Sequence, residues 1–156
     1  MNQTVENLSP SAQAEIADAL TQAVAETVVT TMLAQNFHWN VKGMAFGPLH
    51  DLFQKVYEDH FEAQDELAER VRAIGEHAEG RLAVLLERSK VEEHDGHASA
   101  EEMIGMLAEA QRTVAATLAG AATIAEKHGD LVTQDLCIER GHTHEKFAWL
   151  ISAHLG

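Results

Sequence analysis

Apolar positions along the chain recur at the spacing of long amphipathic helices. Ile16, Leu20, Val24, Thr27, Thr31 and Ala34 return every three or four residues, which is the period of one helix face. Ser9 before Pro10 supplies an N-cap and a proline at the first helical position, so a helix is predicted over 9–39 after a tail of residues 1–8. Gly43 to Pro48 reads as a turn, and Leu49, Leu52, Phe53, Val56, His60, Ala63, Leu67, Val71 and Ile74 mark a second helix over 49–74, closed by Gly75. Residues 76–98 lose the period and are rich in Glu, His and Gly, with one amphipathic piece, Leu82 to Arg88, too short for a bundle helix. That stretch is a crossover. Ser99 with Glu102 forms a capping box, and Met103, Met106, Leu107, Ala110, Val114, Leu118, Ala121 and Ile124 carry a third helix over 99–128. Gly129 stops it, Asp130 caps the next, and Leu131, Leu136, Phe147, Leu150 and Ile151 carry a fourth over 130–155. No strand pattern, internal repeat or low-complexity tract competes. The expected class is all-α, a four-helix bundle with two short turns and one long connection between its second and third helices.

Composition narrows the setting. A chain of 156 residues makes one domain with a core that needs no disulfide. The single cysteine, Cys137, excludes an intrachain disulfide framework, fits a reducing compartment and reads as a small buried apolar residue. No basic start precedes an apolar run and no segment reaches about eighteen apolar residues, so a cytoplasmic location is expected. The formal charge is −14, and the first Lys or Arg is Lys42. Neither Met1 to Leu8 nor Ala153 to Gly156 contains a Lys or Arg. Affinity for DNA depends mainly on cations meeting phosphates, so these ends argue against strong direct DNA binding. An acidic shell attracts divalent cations, although an acidic surface that merely confers solubility accounts for the charge equally well.

The candidate chemistry lies between Asn36 and Arg70. His38 and His50 flank the Gly/Pro turn, and Asp65 and Glu69 stand one helical turn apart further on. Nitrogen and oxygen ligands of this kind suit Fe, Mn or Zn. Within one helix over 49–74, His50 and Asp65 are fifteen residues apart, or roughly 22 Å along the axis at about 1.5 Å per residue. One metal ion cannot touch both within a chain. Fifteen residues nevertheless return to nearly the same helix face. An antiparallel copy crossing near Val56 to Glu58 would set Asp65 and Glu69 of one subunit beside His38 and His50 of the other, twice per two-fold dimer.

The pattern His-Trp-Asn-Val-x-Gly from His38, a Phe, Leu-His-x-x-Phe from Leu49 and Asp-x-x-Ala-Glu-Arg from Asp65 resembles the signature of the Dps family, the miniferritins named as DNA-binding proteins from starved cells. The likeness runs from about Ser9 to Leu155. It implies a ferritin-like four-helix subunit, a hollow dodecamer and a ferroxidase site shared between two-fold-related subunits, with His38 and His50 from one chain and Asp65 and Glu69 from the other. By the same resemblance Fe²⁺ is oxidised, preferably by hydrogen peroxide and alternatively by dioxygen, and stored as ferric mineral. Trp39 is then a residue that packs in the core or intercepts strong oxidant, with core packing the expected role. The stretch from Asp130 to Asp135 resembles the one lining the family's three-fold pores, unless Asp130 is only an N-cap.

One position departs from that pattern. Four residues after His50 the family usually carries Asp or Glu, and here Gln54 stands. A neutral amide is a weaker ligand, so a second iron is expected to bind less tightly, with Glu58 or His142 as substitutes. A DNA-compacting protein and a cage buffering zinc or other metal with weakened oxidation are the competing readings. Asp51 and Glu62 serve as mineral nucleation sites or as a plain polar face. Glu139 and His142 form a Glu-x-x-His pair of the kind used by intrachain di-iron bundles, which need a second such pair; this chain offers only Glu62 to Asp65. His60, His77, His94, His97, His128, His144 and His154 are read as ordinary surface or core residues.

Overall fold

The computed structural model describes residues 5–156, and the first four residues of the expected tail lie outside it. Its long helices are α1 (Pro10–Asn40), α2 (Phe46–Ala73), α4 (Ala100–Lys127) and α5 (Leu131–Ser152), with the short α3 (Leu82–Arg88) in the crossover. Single 3-10 turns, Val5–Asn7 and Ala153–Leu155, flank them. No strand occurs among the described residues, and none of the helices is long and apolar enough to cross a membrane.

Local chemistry sets the helix ends. The Ser9 hydroxyl accepts from the Ala12 amide and Pro10 opens α1. Ser99 and Glu102 exchange both bonds of a capping box at the start of α4. Asp130 accepts from the Thr133 amide at the start of α5. Two boundaries differ from the pattern. The second helix starts at Phe46 rather than Leu49, because a proline in the first turn replaces an N–H that has no intrahelical partner. The fourth ends at Ser152 and tightens into the 3-10 turn instead of running on as α-helix.

Ile16, Leu20, Phe37, Leu49, Phe53, Leu67, Met103, Leu107, Leu118 and Ile151 are fully buried between the helices. The crossover is strapped to α1 by polar bonds: Gln22 donates to the Arg88 carbonyl, Arg88 pairs with Asp18, and Asn36 donates to the His94 carbonyl. Gly96 sits against Asn36 at φ +86°, where a Cβ would come within 2.3 Å of the Asn36 Oδ1. Only glycine fits there without a shift.

Between α2, α4 and α5 the core is polar. His60, Gln111 and His144 are fully buried, the Gln111 side chain lies 3.0 Å from His60 Nε2 and 2.7 Å from His144 Nδ1, and His60 Nδ1 donates to Asp59. Arg140 closes the group by donating twice to Asp59. Burial pushes the His144 pKa down to about 2, helped by repulsion from His60 whenever that ring is protonated and by the Arg140 charge, and burial also lowers that of His60. Burial alone would raise Asp59, but bonds from His60 and Arg140 hold its carboxyl well below the usual range. Both imidazoles are therefore neutral at pH 7.

Candidate metal centre

The last turn of α1 and the first full turn of α2 meet at two histidines. His38 Nδ1–H donates to the His50 carbonyl at 2.7 Å, and His50 Nδ1–H donates to the His38 carbonyl at 2.7 Å. A carbonyl only accepts, so Nδ1 of each imidazole carries a proton, and Nε2 is the nitrogen left to offer a lone pair to a metal ion. The His38 carbonyl is among the last four of α1, which a helix leaves without an amide partner, so the same bond closes the helix end. The rings stack with centroids 3.7 Å apart and planes inclined by 19°. Phe46 lies over His50 at 5.0 Å, and Tyr57 meets His38 edge-on at 5.2 Å.

The stacking has a coordination consequence. A bound ion lies in the plane of its imidazole, roughly 2 Å beyond the nitrogen. Planes at this separation and tilt meet no nearer than about 10 Å from the stack. One ion therefore cannot lie in both ring planes, and each Nε2 addresses its own position.

Asp65 and Glu69 are exposed on α2. The neighbouring arginines do not neutralise them: Arg70 reaches Asp130 and Thr133, and Arg72 donates to the Glu76 carbonyl. Among the described residues, no three His, Cys, Asp or Glu side chains converge closely enough to hold a metal ion. Within one chain the histidine pair and the carboxylate pair are separate. Gln54 donates from its amide to Glu58 at 2.7 Å, which holds that carboxylate one turn along α2. His142 is exposed on α5, as is Glu139, so their Glu-x-x-His pair lies outside a bundle interior occupied by His60, Gln111 and His144. Asp51 and Glu62 are exposed.

Trp39 corrects an expectation. It is 59% exposed and does not pack in the core of the chain. Phe37 and His38 occupy the inward face, and a further 100° of helix rotation carries Trp39 outward. Asp130 is only 3% exposed, engaged by Thr133 and by Arg70 at 2.8 Å. Its carboxylate is used as a cap and an ion-pair partner, whereas that of Asp135 is exposed. Of the remaining histidines, His128 pairs with Glu15 at 2.6 Å, His94 packs against Phe37, and His77, His97 and His154 are exposed. Cys137 is buried and its thiol is pushed up to about 12, mainly by burial. The roles of Phe46 and Tyr57 were not read from the sequence; the available signal is their spacing, four residues before and seven after His50 on one helix.

A family model described as a ferritin-like domain matches residues 17–156. The "DNA protection during starvation protein" of Brevibacillus brevis is 35% identical over 150 residues, covering 95% of this chain and 99% of that one. The crystal structure of a Dps protein from Bacillus brevis superposes with a TM-score of 0.91 at 33% identity, covering 96% of this chain and all of that one. The crystal structure of Dps from Staphylococcus aureus superposes with a TM-score of 0.87 at 35% identity, covering 90% and 95%.

Proposed function

Because the chain belongs to the ferritin-like Dps family, we propose that it is an iron-storing and iron-detoxifying miniferritin whose ferroxidase site is completed by a second copy. The observation that carries this reading is the preset histidine pair. Each imidazole is tied through Nδ1, leaving Nε2 open, while Asp65 and Glu69 stand on α2 without an ion-pair partner among the described residues. A two-fold copy of α2 running antiparallel brings the partner subunit's Asp65 and the partner subunit's Glu69 to that pair.

The substrate is Fe²⁺, taken at neighbouring positions, one facing each imidazole. The stack spacing of 3.7 Å is close to the roughly 3.5–4 Å of two-ion sites. Two ferrous ions give one electron each to hydrogen peroxide, its O–O bond breaks, and both oxygens leave at the level of water. No hydroxyl radical is released, and the ferric ions hydrolyse to mineral inside the cage. Asp51, Glu62 and Asp135 are exposed carboxylates available for nucleation or for guiding Fe²⁺, and exposed Trp39 beside His38 is placed to intercept stray oxidant.

Apolar surface supports an assembly, which we take to be the dodecamer. The outward side of α5 carries exposed Leu131, Ile138 and Trp149, while its buried side mixes Thr133, Arg140 and His144 with Cys137, Ala148 and Ile151, so the outward apolar residues make sense when further copies cover them. Met32, Phe61, Leu82 and Leu86 line a second apolar groove, of about 400 Å³, between α1, α2 and α3. Stopped-flow Fe²⁺ oxidation tests the activity, with faster turnover expected for peroxide than for air. Absence of oxidation with either would leave a metal-buffering cage, the reading that Gln54 favours. A DNA-compacting role is disfavoured by the formal charge of −14, and no shift is expected in a low-salt gel.

A further inference from the structure

We propose that Phe46 and Tyr57 are positioning residues of the iron site, bracketing the stacked His38–His50 pair and thereby fixing the separation of the two Nε2 lone pairs. The inference rests on the ferroxidase reading above. The rings form one column, Phe46, His50, His38 and Tyr57, with successive centroids 5.0, 3.7 and 5.2 Å apart. Each imidazole is held at its edge by a single bond from Nδ1. Such a bond fixes the tautomer but leaves the ring plane free to rock about the N–H···O line. Contacts on the ring faces remove that freedom.

His50 needs the restraint more than His38. It is half-buried where His38 is buried, and it stands in the opening turns of α2, whose N-cap residue Ala45 makes no side-chain bond. Phe46 lies four residues before His50 and so shares its helix face. Phe46 is 45% exposed, so core burial does not account for it. At the other end of the column Tyr57 meets His38 at 77°, the edge-to-face arrangement aromatic rings favour.

Anaerobic Co²⁺ titration of the assembled protein tests this, because the visible spectrum of Co²⁺ reports the geometry of its ligands. Phe46→Leu keeps apolar bulk and loses the planar ring. It is expected to weaken the less tightly held ion by about tenfold, the upper range of an aromatic pair, and to alter that ion's spectrum, with melting temperature and assembly size unchanged. Phe46→Trp restores both. Tyr57→Phe behaves as the unaltered protein, while Tyr57→Leu broadens the spectrum of the ion at His38. If Phe46→Leu binds both ions with unaltered affinity and spectrum, the bracket is overturned. His50→Ala separates the two levels. Unchanged Co²⁺ binding in that variant overturns the site itself, whereas loss there combined with normal binding in Phe46→Leu overturns the bracket alone.

Discussion

At Gln54 an amide stands one turn beyond His50, where the Dps pattern usually carries a carboxylate. The change removes one negative charge and one anionic oxygen beside a divalent ion, and such ions favour anionic oxygen. Gln54→Glu is expected to raise Fe²⁺ stoichiometry toward two per site and to speed oxidation at low iron. Two tightly held irons per site in the unaltered protein would contradict this, and Glu58, already bonded to Gln54, would be replaced next, followed by His142. The buried histidines make a separate prediction. The pKa of His144 falls to about 2 on folding and that of His60 also falls, so the unfolded chain binds protons that the folded chain refuses. Their contribution is intact above about pH 6.5 and is lost as pH drops from there toward the folded values. His144 steepens the loss of stability by about 1.4 kcal/mol per pH unit over that window, and His60 acts in the same direction. Denaturant unfolding of His144→Phe between pH 7 and 4 should show a shallower slope than the unaltered protein. An identical slope would mean that His144 is protonated in the fold.

Helix α2 carries most of the site, presenting His50, Gln54 and Glu58, then Asp65 and Glu69, along one element. The crossover decides how α1 is held beneath it, and Gly96 is its tightest point. Gly96→Ala would place a Cβ against Asn36 in a left-handed backbone, a strain of order 1–3 kcal/mol. It should lower the denaturant midpoint without changing Fe²⁺ binding per folded site, and an unaltered midpoint would show that Asn36 moves aside freely. The helix ends were legible wherever a side chain itself makes the cap, as at Ser9, Ser99 with Glu102, and Asp130. The start of α2 was not, since Gly43 to Pro48 has turn composition and only the tolerance of a first-turn proline extends the helix back to Phe46. His60 fell on the apolar period of α2, but its partners Gln111 and His144 lie 51 and 84 positions away in sequence, counted from residue 60. No local pattern shows that pairing. The four metal candidates were proposed from spacing and motif, whereas the reciprocal bonds of His38 and His50 depend on the register of two helices across a turn.

On the scale of the assembly, a site shared between copies requires surfaces that one chain leaves open. Exposed apolar residues on α5 and in the groove between α1, α2 and α3 are to be covered by other copies, and light scattering should report about twelve subunits. A stable monomer with full ferroxidase activity would remove the reason for sharing the site. The most direct test mixes two inactive proteins, His50→Ala and Asp65→Ala, after dissociation and reassembly. In a mixed two-fold dimer one site combines both defects and the other has neither, so random mixing leaves about a quarter of all sites intact. Peroxide-driven Fe²⁺ oxidation should recover to about that fraction of the unaltered rate. Activity no higher than that of either parent, after mixing has been verified, would contradict ligation across the subunit boundary.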